Sequence, residues 1–248
     1  MPAYLARPEE GSGPHSAVVI IPEIFGVTPE MRAIADHVAG AGGVALAINF
    51  YHRVDPDFAP GYGEAGIQAG IAAAKTVTRA SIHADVAAAV AWLNEQPFVR
   101  AGNVATWGFC IGGSLAFVTA DLPEVSGAVC FYGSQITRPF MNGEPEGLAD
   151  VAKICAPLLL VYGGEDTGIP PEAIERARAT LDAAGKDFAI QVYPKVGHAF
   201  FRHGTQAAVA EKSDQSDEAV AQATADAWHL SLAFFKRIFA TKAPENAI

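Results

Sequence analysis

The sequence predicts a single α/β domain, in which helices cover both faces of a mostly parallel sheet. Three observations carry that prediction. Short, continuously apolar runs recur along the chain, the pattern of strands buried on both faces. Between them lie longer stretches with apolar residues at helical spacing, and such alternation builds a parallel sheet. No repeat, low-complexity tract or linker divides residues 1–248, and a chain of that length that is 50% hydrophobic can bury one sizeable core.

Ala17 to Ile21 reads as the first buried strand, broken by Pro22-Glu23-Ile24-Phe25-Gly26. Thr28 before Pro29 is a good helix start, because proline has no N–H to lose there. Met31, Ile34, Ala35 and Val38 then repeat at helical spacing, and Gly40 with Gly42-Gly43 ends that helix. Val44 to Phe50 is the next strand. Asp55 to Gly66 is rich in proline, glycine and acid, which predicts a loop and a candidate lid. Ile82, Val86, Val90 and Leu93 mark a helix to about Asn94.

Asn103 to Trp107 is a strand, and Ile111 to about Ala120 a helix. Gly127 to Tyr132 and Leu158 to Tyr162 are strands, separated by a loop from Ser134 to about Pro145. Pro170-Pro171 opens a helix marked by Ile174, Ala177 and Leu181. Phe188 to Tyr193 alternates more than the earlier strands, as an edge strand with a wetter face does. Arg202 to Ser216 is polar and irregular, and Trp228, Leu232, Phe235 and Phe239 define a final amphipathic helix.

The net charge of −10 argues against nucleic acid as the main partner. No apolar run approaches membrane-spanning length, and the N-terminus lacks the basic and apolar regions of a signal peptide. Cys110, Cys130 and Cys155 form an odd set without metal-type spacing, so neither a disulfide framework nor a zinc site is expected. Cys130 and Cys155, in or beside apolar runs, read as core residues. A soluble cytoplasmic protein with reduced thiols follows, a monomer or small homo-oligomer without membrane partners.

The informative stretch is Trp107-Gly108-Phe109-Cys110-Ile111-Gly112-Gly113, between a strand and a helix. It has the Gly-x-Ser-x-Gly form of a nucleophile elbow, with a thiol in place of the hydroxyl. The tight turn leaves no room for side chains two residues either side of the nucleophile. The Ile111 N–H after it can donate to an oxyanion. Chain order adds to this. Cys110 precedes Asp166, which closes Leu158 to Asp166, and His198 follows the last strand. Nucleophile, acid, histidine is the order of the α/β-hydrolase fold, and each member sits just past an apolar run, where an open parallel sheet gathers its site. His198 would take the thiol proton and Asp166 would hold its tautomer. Glu165 is a rival acid, Asp166 could instead cap the following helix, and His52 and His203 could line the pocket.

Four segments together resemble the dienelactone hydrolase (carboxymethylenebutenolidase) family: Pro22 to Gly26, Gly108 to Gly113, Gly163-Gly164-Glu165-Asp166, and Gly197 to Arg202. The likeness spans about residue 17 to the final helix. It implies an α/β-hydrolase acting on an ester or lactone, with no metal or organic cofactor. It makes Glu23 the glutamate that meets the resting nucleophilic cysteine and helps to activate it, and the Ile24 N–H a second oxyanion donor beside Ile111. It makes Arg202 the arginine that binds a substrate carboxylate. A second such arginine is expected between Asp57 and Lys75, where this chain has none; Arg53 and Arg79 are possible substitutes. Tyr51 and Tyr132, ending strands on the same edge, either touch substrate or pack, and Phe200-Phe201 is an apolar wall or core.

The leading expectation is therefore a cysteine hydrolase opening an enol-lactone of the dienelactone type through an acyl-enzyme. A small uncharged ester, thioester or other lactone is the alternative substrate. A redox-sensing or ligand-binding protein without turnover is the remote one.

Overall fold

The computed structural model describes residues 1–11, 13–203 and 217–241. Its seven strands form one sheet in the order β1-β3-β2-β4-β5-β6-β7. The strand β2 (His15–Ile21) lies between β3 (Val44–Ile48) and β4 (Val99–Phe109), parallel to both. On the other side of β4, β5 (Ala128–Phe131), β6 (Leu158–Gly163) and β7 (Phe188–Tyr193) add on in parallel. The chain thus yields the mostly parallel sheet its apolar runs predict.

At one edge, β1 (Ala3–Ala6) pairs antiparallel to β3, with Ala3 opposite Ile48. Sequence reasoning passes over this strand, because four residues with one buried position leave no periodicity to read. The opposite edge is β7, as its alternation predicts, with a pattern of partial burial that the central strands lack.

The helices α1 (Pro29–Gly40), α3 (Arg79–Asn94), α4 (Ile111–Val118), α5 (Pro171–Ala183) and α7 (Asp217–Ala240) match the predicted helical segments. Thr28 caps α1 by accepting from the Met31 N–H, and Thr78 with Ser81 forms a capping box on α3. One helix is a correction. The segment α2 (Glu64–Ala74) begins inside the predicted 55–66 loop and continues through residues to which no element was assigned. Its Ala and Gly residues carry almost no amphipathic stripe, so periodicity could not find it.

Helix α4 packs on β4, β5 and α3, while α7 lies over β6 and, beside α1, borders a groove lined by Ile34, His37, Phe201 and Trp228. Trp107 is fully buried in the middle of the sheet, among Phe109, Phe131, Phe201, Trp228 and Phe235, with ring centroids 5.3–5.7 Å away. Each such ring contributes on the order of 2 kcal/mol by leaving water. The cluster ties α7 and the short helix α6 (Phe200–His203) to β4, and so anchors the chain just after His198. Phe200 and Phe201 are core. The predicted irregular segment meets this helix at its start, and its residues 204–216 lie outside the described residues.

Cys155 is a second correction: it is exposed, and its thiol donates to the carbonyls of Ala120 and Asp121. It follows the buried Ile154 on a turn, so the adjoining apolar run does not carry it inward. Cys130 is buried as expected.

Candidate active site

The elbow explains its own glycines. Cys110 holds φ 57° and ψ −119°, a strained conformation for a residue with a side chain, which persists only where its surroundings impose it. A Cβ on Gly108 would lie 1.9 Å from the Gly112 carbonyl oxygen, and one on Gly112 would lie 2.0 Å from that of Ile21. A Cβ on Gly113 would meet the Phe131 carbonyl at 2.3 Å. The Cys110 N–H donates to that same carbonyl at 3.0 Å. Backbone contact on both sides therefore leaves Cys110 standing between β4 and α4, half-buried.

Ile111 is the first residue of α4, so its N–H has no acceptor inside the helix and lies at the positive end of its dipole. Ile24 occupies the turn after β2, half-buried against the core. Helix α2 presses on that turn, since a Cβ on Gly70 would lie 2.6 Å from the Ile24 carbonyl oxygen.

Asp166 is buried in the turn between β6 and α5. Its Oδ1 accepts from the Gly168 N–H at 2.9 Å, and its Oδ2 lies 2.7 Å from His198 Nδ1. Glu165 is exposed, so Asp166 is the acid that meets the histidine. On the other side of the ring, His198 Nε2 lies 3.2 Å from Cys110 Sγ. The loop bearing His198 is seated closely against the end of β6: a Cβ on Gly163 would meet the carbonyls of Val196 and Gly197 at 2.5 Å. Burial works against the imidazolium, but the charges of Cys110 and Asp166 and their hydrogen bonds outweigh it and raise the His198 pKa to about 10.

The predicted residues around this line also converge, in roles that only the structure separates. Glu23 is buried, and its Oε2 forms an ion pair with Arg202 Nε at 2.9 Å. Burial pushes the Glu23 carboxyl up, against the opposing charges of Arg202 and His198. Tyr132 donates a long hydrogen bond to Glu23 Oε1 at 3.5 Å and sets its ring against His198, centroids 5.1 Å apart. Tyr51 is fully buried against Phe50 and Phe58, and its hydroxyl has no hydrogen-bond partner among the described residues. Burial, with the nearby charge of Cys110, pushes its pKa far up.

The two arginines considered as substitutes for the missing one are engaged elsewhere. Arg53 forks onto Asp85 at 2.7 and 2.8 Å, and His52 Nε2 joins the same carboxylate at 3.2 Å. Arg79 binds Asp150 and the carbonyls of Pro145 and Glu146. The side chain of His203 is outside the described ones.

Sequence reasoning missed Tyr62. Its ring lies under Arg202, 4.6 Å from the guanidinium carbon, and its hydroxyl donates to the Glu30 carboxylate, with Thr28 Oγ1 3.1 Å away. The available signal was the pair of glycines beside it, which turn the chain so that an aromatic side chain points inward. Among the described residues, no group of three or more His, Cys, Asp or Glu could hold a metal ion, and no helix is long and apolar enough to cross a membrane.

A mostly parallel sheet with helices on its faces, whose central strand-turn-helix brings Cys110 beside His198 and Asp166 from later strand ends, is the α/β-hydrolase fold. The dienelactone hydrolase family model matches residues 1–239, and the chain belongs to that family. It is 33% identical over 225 residues to a Synechocystis sp. protein named "Putative carboxymethylenebutenolidase", covering 91% of this chain and 87% of that one. A Bradyrhizobium sp. protein named "Probable 2-oxo-3-(5-oxofuran-2-ylidene)propanoate lactonase" is 32% identical over 203 residues, 81% of this chain and 79% of its own. A crystal structure of a "Putative Dienelactone Hydrolase" from Klebsiella pneumoniae subsp. pneumoniae superposes with a TM-score of 0.80 at 28% identity, covering 95% of this chain and 92% of that one. The protein is accordingly a hydrolase of carboxylic ester bonds, with a small-molecule ester or lactone as substrate.

Proposed function

We propose that the protein opens a lactone or activated ester by nucleophilic attack of Cys110, through a thioester acyl-enzyme. The observation that carries this is the hydrogen-bonded line from Cys110 Sγ through His198 to Asp166, at 3.2 and 2.7 Å. Attack forms the C–S bond and moves the carbonyl electrons onto oxygen, where the N–H groups of Ile24 and Ile111 receive them. Collapse breaks the C–O bond, and His198 hands its proton to the departing oxygen. The proton it hands over is the one His198 took from the Cys110 thiol on attack. Water, deprotonated by His198, then clears the thioester and releases a carboxylate and the Cys110 sulfur.

The thiol selects the leaving group. From the tetrahedral intermediate, thiolate leaves more readily than an alkoxide, so simple alkyl esters revert. An enol or aryl oxygen leaves well, and a released enol becomes a ketone, which drives the reaction forward. An enol-lactone of the dienelactone type fits this chemistry, and the Bradyrhizobium relative is named for such a ring.

A specific observation favours an uncharged version of that substrate. Residues 57–75 hold no second arginine, and the two weighed as substitutes, Arg53 and Arg79, are paired with Asp85 and Asp150.

The test is hydrolysis of cis-dienelactone and 4-nitrophenyl acetate by the wild type and Cys110→Ala. Turnover that drops by at least about a thousandfold in Cys110→Ala supports the reading. Retention of activity in that variant would remove Cys110 as nucleophile.

A further inference from the structure

Tyr51 is a buried polar group to which the reaction above gives no task. The residue is 1% exposed, and its hydroxyl has no hydrogen-bond partner among the described residues. A polar group taken out of water without a partner costs about 1–3 kcal/mol. Buried groups are as a rule satisfied, so one left over beside a reaction centre points to a partner that arises only during the reaction.

The backbone holds this side chain in place. Asn49 Oδ1 accepts from the Tyr51 N–H at 3.0 Å, while Asn49 Nδ2 donates to the carbonyls of Asp55 and Pro56 at 3.2 and 2.8 Å. The Tyr51 carbonyl accepts from the N–H groups of Val54 and Asp55 at 2.7 and 3.0 Å. Phe50 and Phe58 flank the ring, with centroids 4.1 and 4.6 Å away. Phe58 in turn lies against Gly26, where a Cβ would meet its carbonyl oxygen at 2.5 Å. A donor fixed in this way costs little reorganisation when charge appears near it.

The sheet says which charge that is. Ala47, Ile20 and Trp107 stand side by side on β3, β2 and β4. Just past this row, Tyr51 and Cys110 leave the same carboxyl edge, two strands apart. Two strand spacings are about 10 Å, and a tyrosine side chain spans most of that. The charge of Cys110 reaches the Tyr51 hydroxyl and, with burial, keeps it protonated. The neighbouring charges are committed elsewhere: His52 and Arg53 are turned onto Asp85, and Asp55 is exposed. Around the sulfur itself stand His198, with Asp166 behind it, and Tyr132, whose hydroxyl is directed at Glu23 and its partner Arg202. Tyr51 is the donor that remains.

We propose that Tyr51 is a catalytic residue whose hydroxyl donates a hydrogen bond to the Cys110 sulfur whenever that sulfur carries negative charge. This rests on Cys110 as the nucleophile of the hydrolase reading above. At rest the sulfur lies 3.2 Å from His198 Nε2. Once His198 has taken the thiol proton, the phenol O–H bonds the thiolate. It releases the sulfur as the C–S bond forms and the charge passes to the carbonyl oxygen. In deacylation the C–S bond breaks with its electron pair going to sulfur, and Tyr51 again supports that charge until His198 returns the proton. The phenol keeps its own proton throughout.

Tyr51→Phe keeps the ring and removes only the donor. The ultraviolet absorbance of the Cys110 thiolate, read as the difference from the same protein carrying Cys110→Ala, should titrate about one pH unit higher in this variant, the scale of one hydrogen bond to a charged group. Alkylation of Cys110 by iodoacetamide at pH 7, followed by intact mass, should slow by about threefold, because the more basic sulfur recovers part of the tenfold lost in thiolate. Since the deleted hydroxyl had no partner, the variant should melt at or above the wild-type temperature. An unshifted titration, or a lower melting temperature, overturns the proposal. Turnover of 4-nitrophenyl acetate should fall with the alkylation rate. If that ester is not hydrolysed by the wild type while the titration still shifts in Tyr51→Phe, the hydrolase reading fails and the bond from Tyr51 to the sulfur stands.

Discussion

Arg53 and Asp85 meet end to end, with Nη1 on Oδ2 at 2.7 Å and Nη2 on Oδ1 at 2.8 Å. Asp85 is buried on α3, whereas half of the Arg53 side chain remains in water. The fork, with His52 on the same carboxylate, pins the chain just after β3. That is next to Tyr51, which is buried against Phe50 and Phe58 within electrostatic reach of Cys110, so a pair remote from Cys110 holds the backbone beside it.

Replacing Asp85 by alanine leaves Arg53 and His52 without their anchor. The expected cost is about 2 kcal/mol, the scale of a charge-assisted hydrogen bond to a half-exposed partner. Urea unfolding should show a lower midpoint with an unchanged slope. An unaltered midpoint would mean that the fork contributes nothing to stability.

Gly112→Ala places a methyl group 2.0 Å from the Ile21 carbonyl and 2.4 Å from that of Pro22. Neither backbone can yield without moving the Glu23-Ile24 turn. Loss of at least about 2 kcal/mol of stability is expected, with a fall in kcat greater than the change in KM. Thermal melts and steady-state kinetics check both, and a stable, fully active variant would contradict the packing described here.

Asp166→Asn keeps the shape of the acid but removes the charge that supports the His198 imidazolium. We expect kcat to fall by roughly a hundred- to ten-thousandfold. Cys110 should still be alkylated stoichiometrically by iodoacetamide, which shows that the nucleophile is in place. A variant within tenfold of wild type would assign the acid role elsewhere.

His198 links activity to stability through pH. Its ordinary value near 6.5 is raised to about 10 in the folded protein, so the folded state binds the proton more tightly than the unfolded one. The resulting stability is fully present below about 6.5 and is lost progressively as pH rises through about 10. The midpoint of urea unfolding should therefore decline from pH 7 to pH 10. The decline should be shallower in Cys110→Ala, which lacks the sulfur that helps raise the value. Parallel pH profiles for the two proteins would show that the sulfur has no part in it.

The sheet was legible because a strand covered on both faces must be apolar throughout, as Ala17 to Ile21 and Leu158 to Tyr162 are. The elements that escaped reading are those whose burial lacks a pattern. Strand β1 buries only Ala6, and α2 is built of alanine and glycine whose small size serves close packing, as at Gly70 against Ile24. Cys155 misled for a related reason, since its neighbours are apolar but its turn faces water.

At the site, residue types and their order along the chain pointed to Cys110, Asp166, His198 and Glu23, which the fold brings together, because a tight backbone turn and a strand-end position restrict which residues can stand there. The choice of Asp166 over Glu165 belonged to the tertiary structure, since adjacent residues on a turn point opposite ways. So did the pairing of Arg202 with Glu23 and the placing of Tyr62 against Arg202. Those contacts join residues far apart in the chain, and only the closing of the fold sets the distance between them.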